Sequence, residues 1–141
     1  MKNTDKKISI QEDNKSRNLR LMVSNYENKG LYVGLYTIRY SECYVDLTVN
    51  LKGYRLKPNE AFIDAYANDH KEFLDVLKKY KLGEFVDGAY GLSGFNTYRK
   101  FKFNLEELRK YDSKGVKDYE KLHQKKEVKK NKSKSKKDLE R

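Results

Sequence analysis

The strongest constraint on this chain is the stretch from Leu31 to Leu51, L-Y-V-G-L-Y-T-I-R-Y-S-E-C-Y-V-D-L-T-V-N-L, in which aliphatic and tyrosine residues alternate around a polar break. Alternation of period two in adjacent runs is the signature of a β-hairpin. Residues opposite each other in an antiparallel pair share a face, so a slip of one position inverts a strand. A turn of Ser41, Glu42 and Cys43, with Tyr40 opposite Tyr44, places Leu31, Val33, Leu35, Val45, Leu47, Val49 and Leu51 on one face. A two-residue turn at Ser41 and Glu42 divides those residues between both faces. Each aliphatic side chain contributes roughly 1.5–3 kcal/mol on burial, before entropy, so the odd-length turn is expected.

The other face of this hairpin then carries Tyr32, Gly34, Tyr36, Ile38, Tyr40, Tyr44, Asp46, Thr48 and Asn50. Tyrosine is a good strand former, and such a face can be a half-wet sheet surface or the floor of a second layer. It can also be a recognition platform, because tyrosine offers large contact area at low entropic cost.

A chain of 141 residues accommodates one domain of ordinary size. No apolar run approaches the roughly 18–20 residues needed to span a bilayer, and M-K-N-T-D-K-K lacks a signal-peptide apolar core. No membrane association and a cytoplasmic location are expected. One cysteine, Cys43, excludes an internal disulfide and a cysteine-cluster zinc site. The net charge of +11 is unevenly placed. Residues 1–20 hold six Lys/Arg against three Asp/Glu, and residues 117–141 hold eleven against five, whereas residues 21–116 hold fifteen against thirteen. Basicity therefore belongs to the ends, and the high isoelectric point does not by itself make the body a nucleic-acid binder.

Along the chain, residues 1–17 read as a flexible arm, 18–112 as a single globular domain and 113–141 as a lysine-rich, disordered tail. Leu19 to Val23 reads as a short strand and Ala61 to Ala65 as another. Asp69 and Glu72 form a capping-box pattern ahead of Phe73, Val76, Leu77 and Tyr80, which fall on one helical face over about 70–80. Gly83 is the expected helix stop. Strands are expected over Phe85 to Tyr90 and Tyr98 to Phe103, joined by a loop with glycines at 88, 91 and 94. Asn104 and Glu107 repeat the capping pattern before a short helix over about 105–111. The expected fold is α+β: an antiparallel sheet of five to six strands, the 70–80 helix packed on its aliphatic face, and a flexible basic tail.

Chemistry is sparse. His70 and His123 are far apart and neither has a partner at metal-ligand spacing. Glu60, Asp64, Asp69 and Asp87 sit near loops and could converge on a divalent cation, but Asp69 has a simpler role as a cap. The glycine-spaced loop lacks the Lys-Ser/Thr of a phosphate-binding P-loop, and a strand follows it. No catalytic residue, cofactor or metal site is therefore assigned, and no enzyme is expected. Candidate partner-binding residues are Tyr32, Tyr36, Tyr40 and Tyr44 of the tyrosine face, with Tyr90, Leu92 and Phe95 of the loop. A second reading uses the tail, where Lys125, Lys126, Lys129, Lys130, Lys132, Lys134, Lys136 and Lys137 could attract nucleic acid non-specifically.

L-T-V-N-L (47–51), N-E-A-F-I-D (59–64), K-L-G (81–83) and S-G-F-x-x-Y (93–98) with Phe101 resemble a family of small domain-of-unknown-function proteins. That family is carried by phages, plasmids and conjugative elements of gut and other low-GC bacteria. The resemblance covers about residues 19–103 and implies context, since the family has no assigned activity. It implies a host protein or ribonucleoprotein complex as partner, and an anti-defence, anti-CRISPR-like role as function. The lysine-rich extension departs from the family pattern. The alternative is a nucleic-acid-binding accessory protein that uses the tail and the tyrosine face.

Overall fold

The computed structural model describes residues 5–12, 14–63, 71–93 and 96–123. Among these described residues seven strands and three helices follow in the order β1 (Ile8–Glu12), β2 (Lys15–Asn25), β3 (Leu31–Thr37), β4 (Cys43–Asp46), β5 (Glu60–Ile63), α1 (Lys71–Lys79), β6 (Gly83–Ser93), β7 (Asn96–Phe103), α2 (Leu105–Arg109) and α3 (residues 113–123). The α+β class is as expected, but the sheet is not single. β1-β2-β3-β4 form one antiparallel sheet and β5-β7-β6 a second, joined by a single bridge between Val49 and Phe62. The chain between β4 and β5 makes the crossing: Leu47 N–H donates to Val33 O at 2.9 Å, and Val49 N–H to Phe62 O at 2.8 Å.

The aliphatic face of the first sheet is the centre of the core. Leu19, Leu21, Val33 and Leu35 are fully buried, and Leu31, Val23 and Leu47 nearly so. They pack with Val76 and Leu77 of α1, Ala61, Ile63, Phe101 and Phe103 of the second sheet, and Leu108 of α2. The parity argued from alternation holds for Leu31, Val33, Leu35, Val45 and Leu47, whereas Val49 bridges to Phe62 and Leu51 lies beside Gly91, and the register differs. Leu35 lies opposite Val45, not Val49, and Tyr36 opposite Cys43 across a bulge. Residues Ile38 to Glu42 form the turn, closed by Thr37 N–H to Glu42 O at 2.8 Å and by Ser41 at φ 52°. A slide of four positions keeps every aliphatic residue on its face, so alternation could not detect it.

Residues 8–17 and 113–123, on either side of the expected domain, carry regular structure that composition does not suggest. Residues expected in a flexible arm form β1 and the start of β2, with Ile8 and Ile10 buried. As an edge strand β1 would leave polar backbone groups bare, and the Tyr80 hydroxyl fills one such place. It accepts from Ser9 N–H at 2.8 Å and donates to Ser9 O at 3.2 Å. Tyr54 does the same on the opposite margin, where Leu92 N–H donates to its hydroxyl at 2.7 Å and Leu92 O accepts from it at 3.5 Å.

At the other end, α3 occupies residues read as the start of the tail. Val116 and Tyr119, three positions apart, are buried, and the Tyr119 hydroxyl donates to Pro58 O. Residues 124–141, where the rest of that tail falls, lie outside the described residues.

The helix ends follow the capping logic in part. The Asn104 side chain accepts from Glu106 and Glu107 N–H at 3.1 and 3.3 Å, the expected start of α2. Asp69 lies outside the described residues. Just past α1, Lys81 takes the positive φ of 55° while Leu82 N–H reaches Leu77 O at 3.0 Å. Gly83, the expected stop, opens β6 instead. The strands around the glycine-spaced segment form one long hairpin, β6 running through to Ser93 with a bulge between Phe85 and Tyr90.

Candidate functional site

Because Leu31, Val33 and Leu35 face the core, Tyr32, Gly34 and Tyr36 of β3 project from the opposite side of the first sheet. Register sets their neighbours. Arg20 and Met22 of β2 lie beside Tyr36 and Gly34, and Asp46 and Cys43 of β4 flank them on the other side. The helices and the second sheet pack on the aliphatic side, so this outer face carries no layer of its own among the described residues.

Its geometry is fixed by one glycine. A Cβ at Gly34 would stand 2.2 Å from the Tyr32 hydroxyl oxygen, so the bare backbone lets the Tyr32 ring lie across it. Thus laid down, the Tyr32 hydroxyl donates to Asp46 Oδ1 at 2.5 Å and meets the Tyr36 hydroxyl at 2.8 Å. Cys43 Sγ adds a hydrogen bond to the same Asp46 oxygen at 3.2 Å. Behind Tyr32, Tyr26 packs edge-on at 5.6 Å between ring centres, its hydroxyl 2.8 Å from Thr48 Oγ1. Arg20 reaches from β2 to Ser41 Oγ at 3.0 Å, and its Nε is buried with no hydrogen-bond partner among the described residues.

Burial, reinforced by hydrogen bonds to Asp46 and Tyr36, pushes the Tyr32 hydroxyl far above its ordinary range. Burial and then the Asp46 hydrogen bond also raise the Cys43 thiol, which opposes thiolate formation at neutral pH. The face offers a rigid, neutral aromatic surface bordered by one guanidinium and one carboxylate. Such an arrangement suits recognition by shape and hydrogen bonding.

The residues singled out from sequence do not all meet here. Tyr32 and Tyr36 are held together. Tyr40 is 67% exposed in the turn beside Ile38, with the Arg39 guanidinium 5.3 Å from its ring centre. Tyr44 leaves the face: the bulge turns it against the core side, where Arg17 covers its ring at 4.9 Å. Tyr90 and Leu92, 49% and 64% exposed, belong to β6 of the second sheet. Phe95 and the eight tail lysines lie outside the described residues.

Of the carboxylates considered for a cation, Glu60 accepts from Lys57 N–H at 2.9 Å and lies 3.9 Å from the Lys100 ammonium. Asp64 and Asp69 lie outside the described residues, as does His70. His123 stacks on Tyr119, and its Nε2 lies 3.1 Å from Lys29 O. Arg20 is the member of the outer face that sequence reading passed over; its signal was the pairing of β2 beside β3, which sets it next to Tyr36.

The chain matches the family model described as a domain of unknown function, DUF4313, over residues 20–123. It belongs to that family. The DUF4313 match runs from β2 to the last described turn of α3, so it includes the outer face and extends twenty positions beyond the stretch whose motifs carried the resemblance. β1 and the lysine-rich segment fall outside the DUF4313 match. None of the curated proteins and none of the solved structures matches this DUF4313 chain. Among its described residues no helix is long and apolar enough to cross a membrane.

Proposed function

We propose that this DUF4313 protein is a non-catalytic binding protein of a phage or other mobile element. It acts in the bacterial cytoplasm by occupying a surface of a host defence complex, in the manner of an anti-CRISPR protein. The observation that carries the reading is the Tyr32–Tyr36–Asp46 network. Two aromatic rings are held in place by their own hydroxyls on a sheet face that no helix or second sheet covers among the described residues. Rings fixed before binding lose little entropy on contact, which is what makes tyrosine effective at interfaces. Exposed Ile38 and Tyr40 at the turn extend that surface. The mobile-element setting comes from the motifs shared with the family.

The test is affinity capture from a host lysate with the full chain and with a Tyr36→Ala/Tyr40→Ala variant, followed by assay of the captured complex. The expected result is a protein partner retained by the parent chain, lost by the variant, and reduced in activity when bound. Equal capture by both chains, or a bound partner of unchanged activity, overturns the reading.

A further inference from the structure

Away from the tyrosine face, two adjoining hollows of about 890 and 410 Å³ lie between the end of α1, the β6–β7 hairpin, α2 and α3. Pro58, Leu105 and Glu120 line both, so they form one groove. Lys78, Lys81 and Lys102 line the larger part, and Lys117 and Lys121 the smaller, all five exposed to solvent. Three carboxylates, Glu84, Glu106 and Glu120, line it as well. Two of them are engaged by one guanidinium: Arg109 Nη2 lies 3.0 Å from Glu106 Oε1 and 2.9 Å from Glu120 Oε2. Among the lining residues five lysines face three carboxylates, a net of +2, and Arg109 stands against two of those carboxylates.

Helix-end complementarity accounts for Lys78 at the end of α1. It does not account for Lys102 on β7 or for Lys117 within α3. None of the five has an ion-pair partner among the described residues.

We propose that this groove binds nucleic acid through its phosphate backbone, with Lys78, Lys81, Lys102, Lys117 and Lys121 as phosphate contacts. A polyphosphate presents charge at regular intervals along its length, which matches cations distributed over two joined hollows. An acidic peptide is the competing occupant, since exposed Pro58 and half-buried Leu105 line both hollows, and displacement by polyglutamate tests for it. The site is separate from the tyrosine face and stands or falls without it.

The test measures binding of the full chain to a labelled oligodeoxythymidine of roughly 15 nucleotides, and to a duplex of the same length, across about 50–200 mM salt. Two variants of equal charge are compared: Lys78→Gln/Lys81→Gln/Lys102→Gln in the groove and Lys7→Gln/Lys15→Gln/Lys114→Gln outside it. Loss of three contacts lowers the slope of log K against log salt by about 2 on the single strand, and by nearly 3 on the duplex. Affinity near 0.1 M salt then falls on the order of 100-fold on the single strand. The outside variant keeps the parent slope. Equal loss in both variants, no binding by the parent chain, or equally efficient displacement of the oligonucleotide by polyglutamate overturns the proposal.

Discussion

The Asp112 carboxylate joins a helix to a strand 89 positions earlier in the chain: its Oδ2 accepts from Val23 N–H at 2.9 Å. The other oxygen, Oδ1, accepts from Gly115 N–H at 3.0 Å and so caps α3. The reason lies in strand length. β1 covers β2 only as far as Leu19, leaving β2 without a strand partner on that side at Val23. Gly115 allows the approach, since a Cβ there would stand 2.5 Å from Val23 O.

Asp112→Ala removes a cap and strands a backbone donor together, losses of about 1 kcal/mol and roughly 1–3 kcal/mol. The expected fall in unfolding free energy is about 2–3 kcal/mol, read from the urea midpoint at unchanged m-value. A change below about 0.5 kcal/mol would show that α3 docks without this link.

Alkaline pH weakens the fold through Tyr119. Burial raises its hydroxyl from 10.0 to about 12, so the native state keeps a proton that the unfolded chain releases first. The stabilisation is complete below pH 10 and is lost as pH rises toward 12, amounting to on the order of 2–3 kcal/mol. Tyr26, Tyr32 and Tyr111, each raised first of all by burial, act in the same direction. Thermal melts across this range should therefore fall steeply for the parent chain and less steeply for Tyr119→Phe. Parallel curves would assign the loss to other groups.

Gly34→Ala drives a methyl into the Tyr32 ring. Overpacking of this kind costs about 1–3 kcal/mol. In a Tyr32→Ala background that close contact is gone and the same change should cost less than about 0.5 kcal/mol, because alanine is the better strand residue. The coupling in this double-mutant cycle measures how firmly the ring is seated.

The Cys43 thiol should react slowly with disulfide reagents at pH 7–8, held protonated by burial and then by Asp46. Asp46→Asn removes the carboxylate's share of that effect, so the reaction should speed up several-fold. An unchanged rate would leave burial as the whole cause.

How much of this could be read from sequence depended on how many apolar residues each element contributes. Seven alternating positions made the aliphatic face of β3 and its partner legible, and Asn104 with Glu107 announced α2. β1 offers only Ile8 and Ile10, and α3 only Val116, Tyr119 and Leu122 among lysines and acids, too little apolar surface for a clear periodic signal. Their order comes from distant partners: Tyr80 for β1, and Val23 and Pro58 for α3. The outer face was half legible, because alternation places Tyr32 and Tyr36 but cannot foresee the bulge that removes Tyr44. The groove was invisible, since Lys78, Lys102 and Lys117 meet only through tertiary packing.

The two hydroxyl bridges, Tyr80 on Ser9 and Tyr54 on Leu92, sit on the outermost strand of each sheet. Unpaired strand margins are where copies of a protein join into open-ended assemblies. Here a phenol serves as donor and acceptor at once, satisfying one residue's backbone pair without adding charge. Tyr80→Phe should therefore change melting little while promoting concentration-dependent self-association, visible by light scattering. Colloidal behaviour in this molecule rests on two oxygen atoms as well as on its positive charge.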